Sequence, residues 1–142
     1  DRNLEINLKS YIAKSIKNKN TIIFHNSNDK SKIKLLKKRG TILIKQSTDK
    51  YKNLDLKKIL KDLYKMEIRN LLVEGGDILT KNFIQKKLFN EFYVFRSSKN
   101  LSKNKKHVNF TSSSILNTKY NKHKINSKLA TDILTIYKNW NV

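Results

Sequence analysis

The chain predicts a mixed α/β fold, a sandwich with a mostly parallel central sheet, helices on its faces and antiparallel strands toward the carboxyl end. Three observations predict it. Short runs rich in β-branched residues alternate with Lys-rich segments whose apolar residues recur every three or four positions. This alternation is the pattern of strand–helix–strand units. A Glu-Gly-Gly triplet interrupts the pattern where a strand would pass into a helix, and the last stretch is strand-like rather than helical.

The elements follow in order. Thr21–His25 (TIIFH) is a β-branched run bounded by polar residues, as in a strand buried on both faces. In DKSKIKLLKKRG, apolar Ile33, Leu35 and Leu36 lie between a capping Asp29 or Ser31 and the stop signal Gly40, which predicts a helix. Thr41–Gln46 (TILIKQ) is a second strand. Leu56, Ile59, Leu60, Leu63 and Met66 are spaced as one face of an amphipathic helix whose Lys face is solvated. Asn70–Glu74 (NLLVE) reads as a third strand, and Asp77–Leu88 as a third helix with Ile78, Leu79, Phe83 and Ile84 facing inward. Glu91–Ser97 and Thr131–Lys138 are later strands. The polar stretch from Ser97 to Ser114 between them reads as a long loop with at most one short strand.

A chain of 142 residues is long enough to bury a core without disulfides or metals, and one domain is the default. The absence of Cys excludes a disulfide framework, a Cys-based zinc site and a thiol nucleophile, and suits a reducing cytoplasm. No apolar run has the length of a membrane span, and the first residues lack a signal peptide's apolar region. The net charge of +21 invites a nucleic-acid reading. Against it, all but four of the 32 basic residues are Lys, spread over nearly every segment with abundant Asn and Ile. A base-reading surface concentrates Arg and aromatics instead.

Glu74-Gly75-Gly76 carries the most chemistry. In open parallel sheets ligands sit beyond the carboxyl ends of strands, where the next helix begins and its unpaired N–H groups point outward. Two glycines there let a diphosphate approach the backbone, and the helix dipole favours the anion. The same residues also make a plain tight turn. A carboxylate ending a buried strand is costly unless it faces a cleft or a partner, so Glu74 is either a site residue or a partner of one of the many lysines.

The segment LLVEGGDILTKNFIQKKLFNEFYVF resembles part of the riboflavin-biosynthesis bifunctional deaminase-reductase family: a strand, an EGG turn, a helix, then a "DEL"-type entry into another strand. Here Asn90 replaces the usual Asp and Glu91 is kept. DRNLEINLKS, TIIFH and TDILTIYK resemble further family segments in the same order, so the likeness spans nearly the whole chain. It implies a dihydrofolate-reductase-like three-layer α/β/α sandwich that uses NADPH to reduce 5-amino-6-(5-phosphoribosylamino)uracil to its ribitylamino product. Family cofactor contacts carry over onto the Gly75–Gly76 turn and onto Asp77, Ile78, Leu79, Thr80, Lys81 and Asn82. Glu74 matches the substrate-contacting glutamate, here given the catalytic role as well. Arg2 stands where the family often has Ser near the cofactor, a place from which a guanidinium can reach the 2′-phosphate. The resemblance further implies that residues 1–142 are the carboxyl-terminal part of one reductase domain, with a deaminase domain in cis, and that the protein is a cytoplasmic homodimer.

Rival readings are a pterin or folate reductase of the same fold, a degenerate or truncated module kept for dimerisation or for contact with a deaminase partner, and a basic nucleic-acid binder. No metal site is expected, because His25, His107 and His123 are scattered singly and read as surface or strand-end residues. Asp132 is expected in solvent, and Tyr137 and Trp140 to anchor the last strand in the core or in a dimer contact.

Overall fold

The computed structural model describes residues 1–18, 20–98, 113–125 and 132–139. Most of the long loop predicted over 97–114, and also His107, Thr131 and Trp140, lie outside these residues. The chain divides into two compact units, Asp1–Asn70 and Leu71–Val142.

The first unit contains α1 (Tyr11–Ser15) running into a 3-10 turn (Ile16–Asn18), β1 (Ile22–His25), α2 (Lys30–Lys38), β2 (Ile42–Lys45) and α3 (Leu56–Lys65). Strands β1 and β2 pair in parallel, with Ile22 opposite Ile42 and His25 opposite Lys45. Each helix is started by a side chain. Ser10, Asp29 and Asp55 accept backbone N–H groups from Ala13, Lys32 and both Lys57 and Lys58, which satisfies amides that the first turn leaves unpaired. Asp29, not Ser31, is thus the cap of α2. The stop after α2 works as expected: Gly40 takes φ 93°, a left-handed value that glycine adopts without penalty, while its N–H donates to the Lys37 carbonyl. Leu4, Ala13, Ile16, Ile23 and Leu36 form the core, with Ile6, Leu8, Ile33 and Leu43 against it.

The second unit contains α4 (Asp77–Gln85), β3 (Glu91–Arg96), α5 (Ser113–Lys119), β4 (Asn121–Ile125) and β5 (Ile133–Lys138). The three strands form an antiparallel sheet in the order β3-β5-β4. Ile84, Phe89, Leu116 and Tyr137 make its core, joined by Phe92, Val94, Ile115 and Tyr120. Phe89 meets Phe92 and Tyr120 edge to face, at centroid distances of 5.9 and 4.9 Å. Tyr137 anchors the last strand as expected, and its hydroxyl donates to Asn117 Oδ1 at 2.7 Å. Buried Asn139 closes the end of β5 by donating its amide to the Lys87 and Phe89 carbonyls.

The mixed α/β class is therefore present, with one parallel and one antiparallel sheet among the described residues. Three local expectations are corrected. Asn70–Glu74 is not a strand: it has no ladder partner among the described residues, and Leu72 is 81% exposed. Only Val73 in this run is β-branched, so there is little local preference for a strand without a neighbour to pair with. In α4, Ile78 is 76% exposed and Leu79 is also exposed, so Phe83 and Ile84 alone face the core. Finally α1, α5 and β4 were unforeseen. Strand β4 (NKHKI) is polar and exists through its ladder to β5, not through its own pattern.

Candidate functional site

The Glu74-Gly75-Gly76 turn leads straight into α4, and Gly76 is the N-cap. Its φ of −68° and ψ of 172° are open to any residue, and Gly75 has no positive φ either, so unusual backbone freedom is not what places glycine here. Space distinguishes the two. A Cβ on Gly75 would lie 2.6 Å from Leu79 Cδ2, whereas one on Gly76 would meet nothing within 4 Å. The approach to Gly76 is therefore open, and no side chain caps the helix. An uncapped helix start with room in front of it suits an anionic group such as a phosphate. Asp77 in the first turn complements the same dipole and opposes a second negative charge there.

The other residues of the turn differ in what they present. Glu74 is exposed, with no hydrogen-bond or ion-pair partner among the described residues, so neither a pairing with one of the lysines nor a buried strand end accounts for it. Thr80 donates its hydroxyl to the Gly75 carbonyl at 3.4 Å, and Asn82 donates to the Ile78 carbonyl at 2.9 Å. Both side chains are thus engaged by the helix itself. Lys81 is exposed.

Arg2 belongs to the first unit. The Asp1 carboxylate accepts the N–H groups of Glu5 and Ile6 at 2.9 and 2.8 Å, closing a tight turn in which Leu4 takes φ 58°. The Arg2 carbonyl accepts the Asn26 N–H at 2.8 Å, which fixes the turn just past the carboxyl end of β1. The guanidinium is held on two sides, by Nη1 donating to the Lys52 carbonyl and Nε to Asn3 Oδ1. It borders an open cleft of about 260 Å³ lined by Asp1, Arg2, Asn3, Glu5, Asn53 and Leu54. The partner of Arg2 at Lys52 is 50 residues away in sequence, so no local signal announces it.

Beside this turn, the ends of β1 and β2 are tied together. Gln46 N–H donates to the His25 carbonyl at 2.7 Å, Asn26 Nδ2 donates to the Gln46 carbonyl, and Gln46 Nε2 reaches Asp62 on α3. His25 ends its strand as expected but is only 3% exposed, and its Nδ1 makes no hydrogen bond. Burial pushes the imidazole pKa below its ordinary value against a hydrogen bond to the Ser27 backbone, which favours the charged form, and Lys45 and Lys37 add to the lowering. His25 is therefore a neutral core group. His123 and Asp132 are exposed, as expected.

Residues 1–133 match the family model of the RibD C-terminal domain. The chain belongs to the RibD C-terminal domain family. Two solved structures of Acinetobacter baumannii RibD, forms 1 and 2, are similar to it with TM-scores of 0.67 and 0.68. Each is 16% identical over 97% of this chain, so the likeness is one of fold. This chain spans 35% and 36% of those two chains, about a third of their length. Comparison with curated proteins found no match.

Proposed function

We propose that this domain reduces 5-amino-6-(5-phosphoribosylamino)uracil to 5-amino-6-(5-phosphoribitylamino)uracil, with NADPH as the reductant. The family match supports the reaction class, and the uncapped, unobstructed start of α4 at Gly76 is the observation that carries the cofactor reading. The nicotinamide supplies a hydride when bound. The chain's own residues bind and orient. The Gly75–Gly76 turn and the backbone N–H groups of Asp77, Ile78 and Leu79 take the diphosphate, with Thr80, Lys81 and Asn82 in contact further along the first turns. Arg2 takes the 2′-phosphate, for which its guanidinium is already held by Lys52 and Asn3. Glu74, exposed and unengaged, accepts a hydrogen bond from a ribose hydroxyl near the carbon that is reduced, and helps a proton reach the ring oxygen as the ring opens.

In this reading residues 1–142 are the carboxyl-terminal part of a reductase domain that works in a cytoplasmic homodimer with a deaminase domain in cis. The test is a comparison of NADPH oxidation by the full-length polypeptide with that of its Glu74→Gln variant, using the ribosylaminouracil phosphate. Turnover is expected to fall at least about tenfold, which is about 1.4 kcal/mol of transition-state stabilisation. Equal turnover in both proteins overturns the role given to Glu74.

A further inference from the structure

Lys52 takes φ 60°, a left-handed value, although it is not glycine. An L side chain keeps that conformation only where its surroundings over-determine it. Here they do. The Asp49 carboxylate accepts the N–H groups of Tyr51 and Asn53, both at 3.0 Å, and these are the residues on either side of Lys52. The Lys52 N–H donates to the Asp49 carbonyl at 2.9 Å, and the Asp49 N–H donates to the Asn53 carbonyl at 2.7 Å. A bridge between Thr48 and Leu54, with the Asp55 N–H donating to the Ser47 carbonyl, closes the loop at its base. One half-buried aspartate thus ties the loop together.

What the loop holds is Arg2. The Lys52 carbonyl accepts from Arg2 Nη1, and Asn3 Oδ1 accepts from Nε. A guanidinium carries five N–H groups in a rigid plane, so two bonds fix its orientation and three donors are left for a ligand. The acids that line the same cleft are already engaged, Asp1 by the amides of Glu5 and Ile6, and Glu5 by Asn3 Nδ2. Asp49 is not part of the cleft lining.

We infer that Asp49 is a positioning residue for cofactor choice: by fixing left-handed Lys52 it sets the Arg2 guanidinium in place for a 2′-phosphate, and so favours the phosphorylated dinucleotide over its 2′-hydroxyl counterpart. The inference rests on the role proposed for Arg2. Its physical basis is preorganisation, since a side chain already held loses less freedom when the ligand arrives. Charge alone predicts the opposite. A carboxylate near a phosphate site opposes the anion, so neutralising it would tighten NADPH binding. The two effects differ in sign, which makes them separable.

Fluorescence titration of NADPH and NADH into the full-length polypeptide and its variants tests this, read as the ratio of the two affinities. Arg2→Ser is expected to lower the preference for NADPH at least about tenfold. Asp49→Ala is expected to lower it about fivefold through NADPH alone, because NADH brings no 2′-phosphate to Arg2. Asp49→Asn should stay within about twofold of wild type, since its side-chain oxygen can accept the same two amides. The double variant Arg2→Ser/Asp49→Ala should match Arg2→Ser, because Asp49 acts through the arginine. Should Asp49→Ala lose the wild-type far-UV spectrum, Lys52→Val replaces it and is compared with Lys52→Gln. Both remove the same charge, but only the β-branched residue resists the left-handed conformation. Suppose that Arg2→Ser lowers the ratio. The inference is then overturned, and the reading of Arg2 stands, if Asp49→Ala leaves the ratio unchanged or raises it, weakens both nucleotides alike, is matched by Asp49→Asn, or adds fully to Arg2→Ser. A ratio that Arg2→Ser does not change overturns the role of Arg2 and the inference with it.

Discussion

A methyl group added at Gly75 should disturb the start of α4, whereas the same group at Gly76 should not. In Gly75→Ala the new Cβ would stand 2.6 Å from Leu79 Cδ2, 3.0 Å from its Cβ and 3.1 Å from its Cγ. The first contact can be relieved by rotation, but the other two involve atoms close to the helix backbone. Overpacking of this kind costs about 1–3 kcal/mol, and Leu79, partly open to solvent, brings it toward the lower end. Loss of glycine's freedom in the unfolded chain returns about 0.4–1 kcal/mol. The net expectation for Gly75→Ala is a destabilisation of about 1 kcal/mol. For Gly76→Ala, no atom lies within 4 Å, and a slightly poorer N-cap is offset by the same unfolded-state gain, so the change stays within about 0.5 kcal/mol. Guanidinium unfolding of both variants measures the difference, and the double variant Gly75→Ala/Leu79→Ala tests the contact: Leu79→Ala removes the Cδ2 and Cγ contacts and leaves the 3.0 Å one to Cβ, so part of the Gly75 penalty should be lost. Equal destabilisation at the two glycines, or additivity in the double variant, would refute the steric reasoning.

Other consequences are equally direct. Leu36→Ala empties a site with no solvent exposure in the first-unit core and should cost about 3–5 kcal/mol by thermal or chemical unfolding, while Leu72→Ala, 81% exposed, should cost less than about 0.5 kcal/mol. Because burial holds His25 below its ordinary value of 6.5, the unfolded chain binds more protons than the native one just below that pH. Stability should therefore be highest above pH 6.5 and fall as acid is added through the lowered native value, and His25→Leu should flatten that slope. An unchanged slope in the variant would contradict a buried neutral imidazole. Replacing Arg2 with Ser should reduce the preference for NADPH over NADH, read from the ratio of their affinities, if its guanidinium meets the 2′-phosphate.

How far the sequence alone reached is clearest at the elements that failed. Strands β1 and β2 and helices α2 and α3 were legible because β-branched runs, Asp caps and Gly40 all pointed to the same structure locally. Strand β4 was not, since Asn121–Ile125 owes its strand to the pairing of His123 with Ile136 and Ile125 with Leu134. The reverse error occurred at Asn70–Glu74, an apolar run read as buried, whose Leu72 lies in solvent. At the candidate site the order of residues located the turn and the helix start, but not what makes Gly75 and Gly76 unlike: the side chain of Leu79 one turn on. Nor does sequence disclose the hold of Lys52 on Arg2, which depends on a loop 50 residues away.

The most direct test of the central claim is a fluorescence titration of NADPH into the full-length polypeptide and into its Gly76→Val variant. A Cβ at Gly76 would meet no atom within 4 Å, and the Gly76 carbonyl can still accept the Thr80 N–H, so the variant should stay folded while new methyl groups occupy the space in front of the helix start. Saturable binding that weakens at least about tenfold in the variant is the result the account expects. Identical affinity in the two proteins would mean that no cofactor phosphate sits at the start of α4.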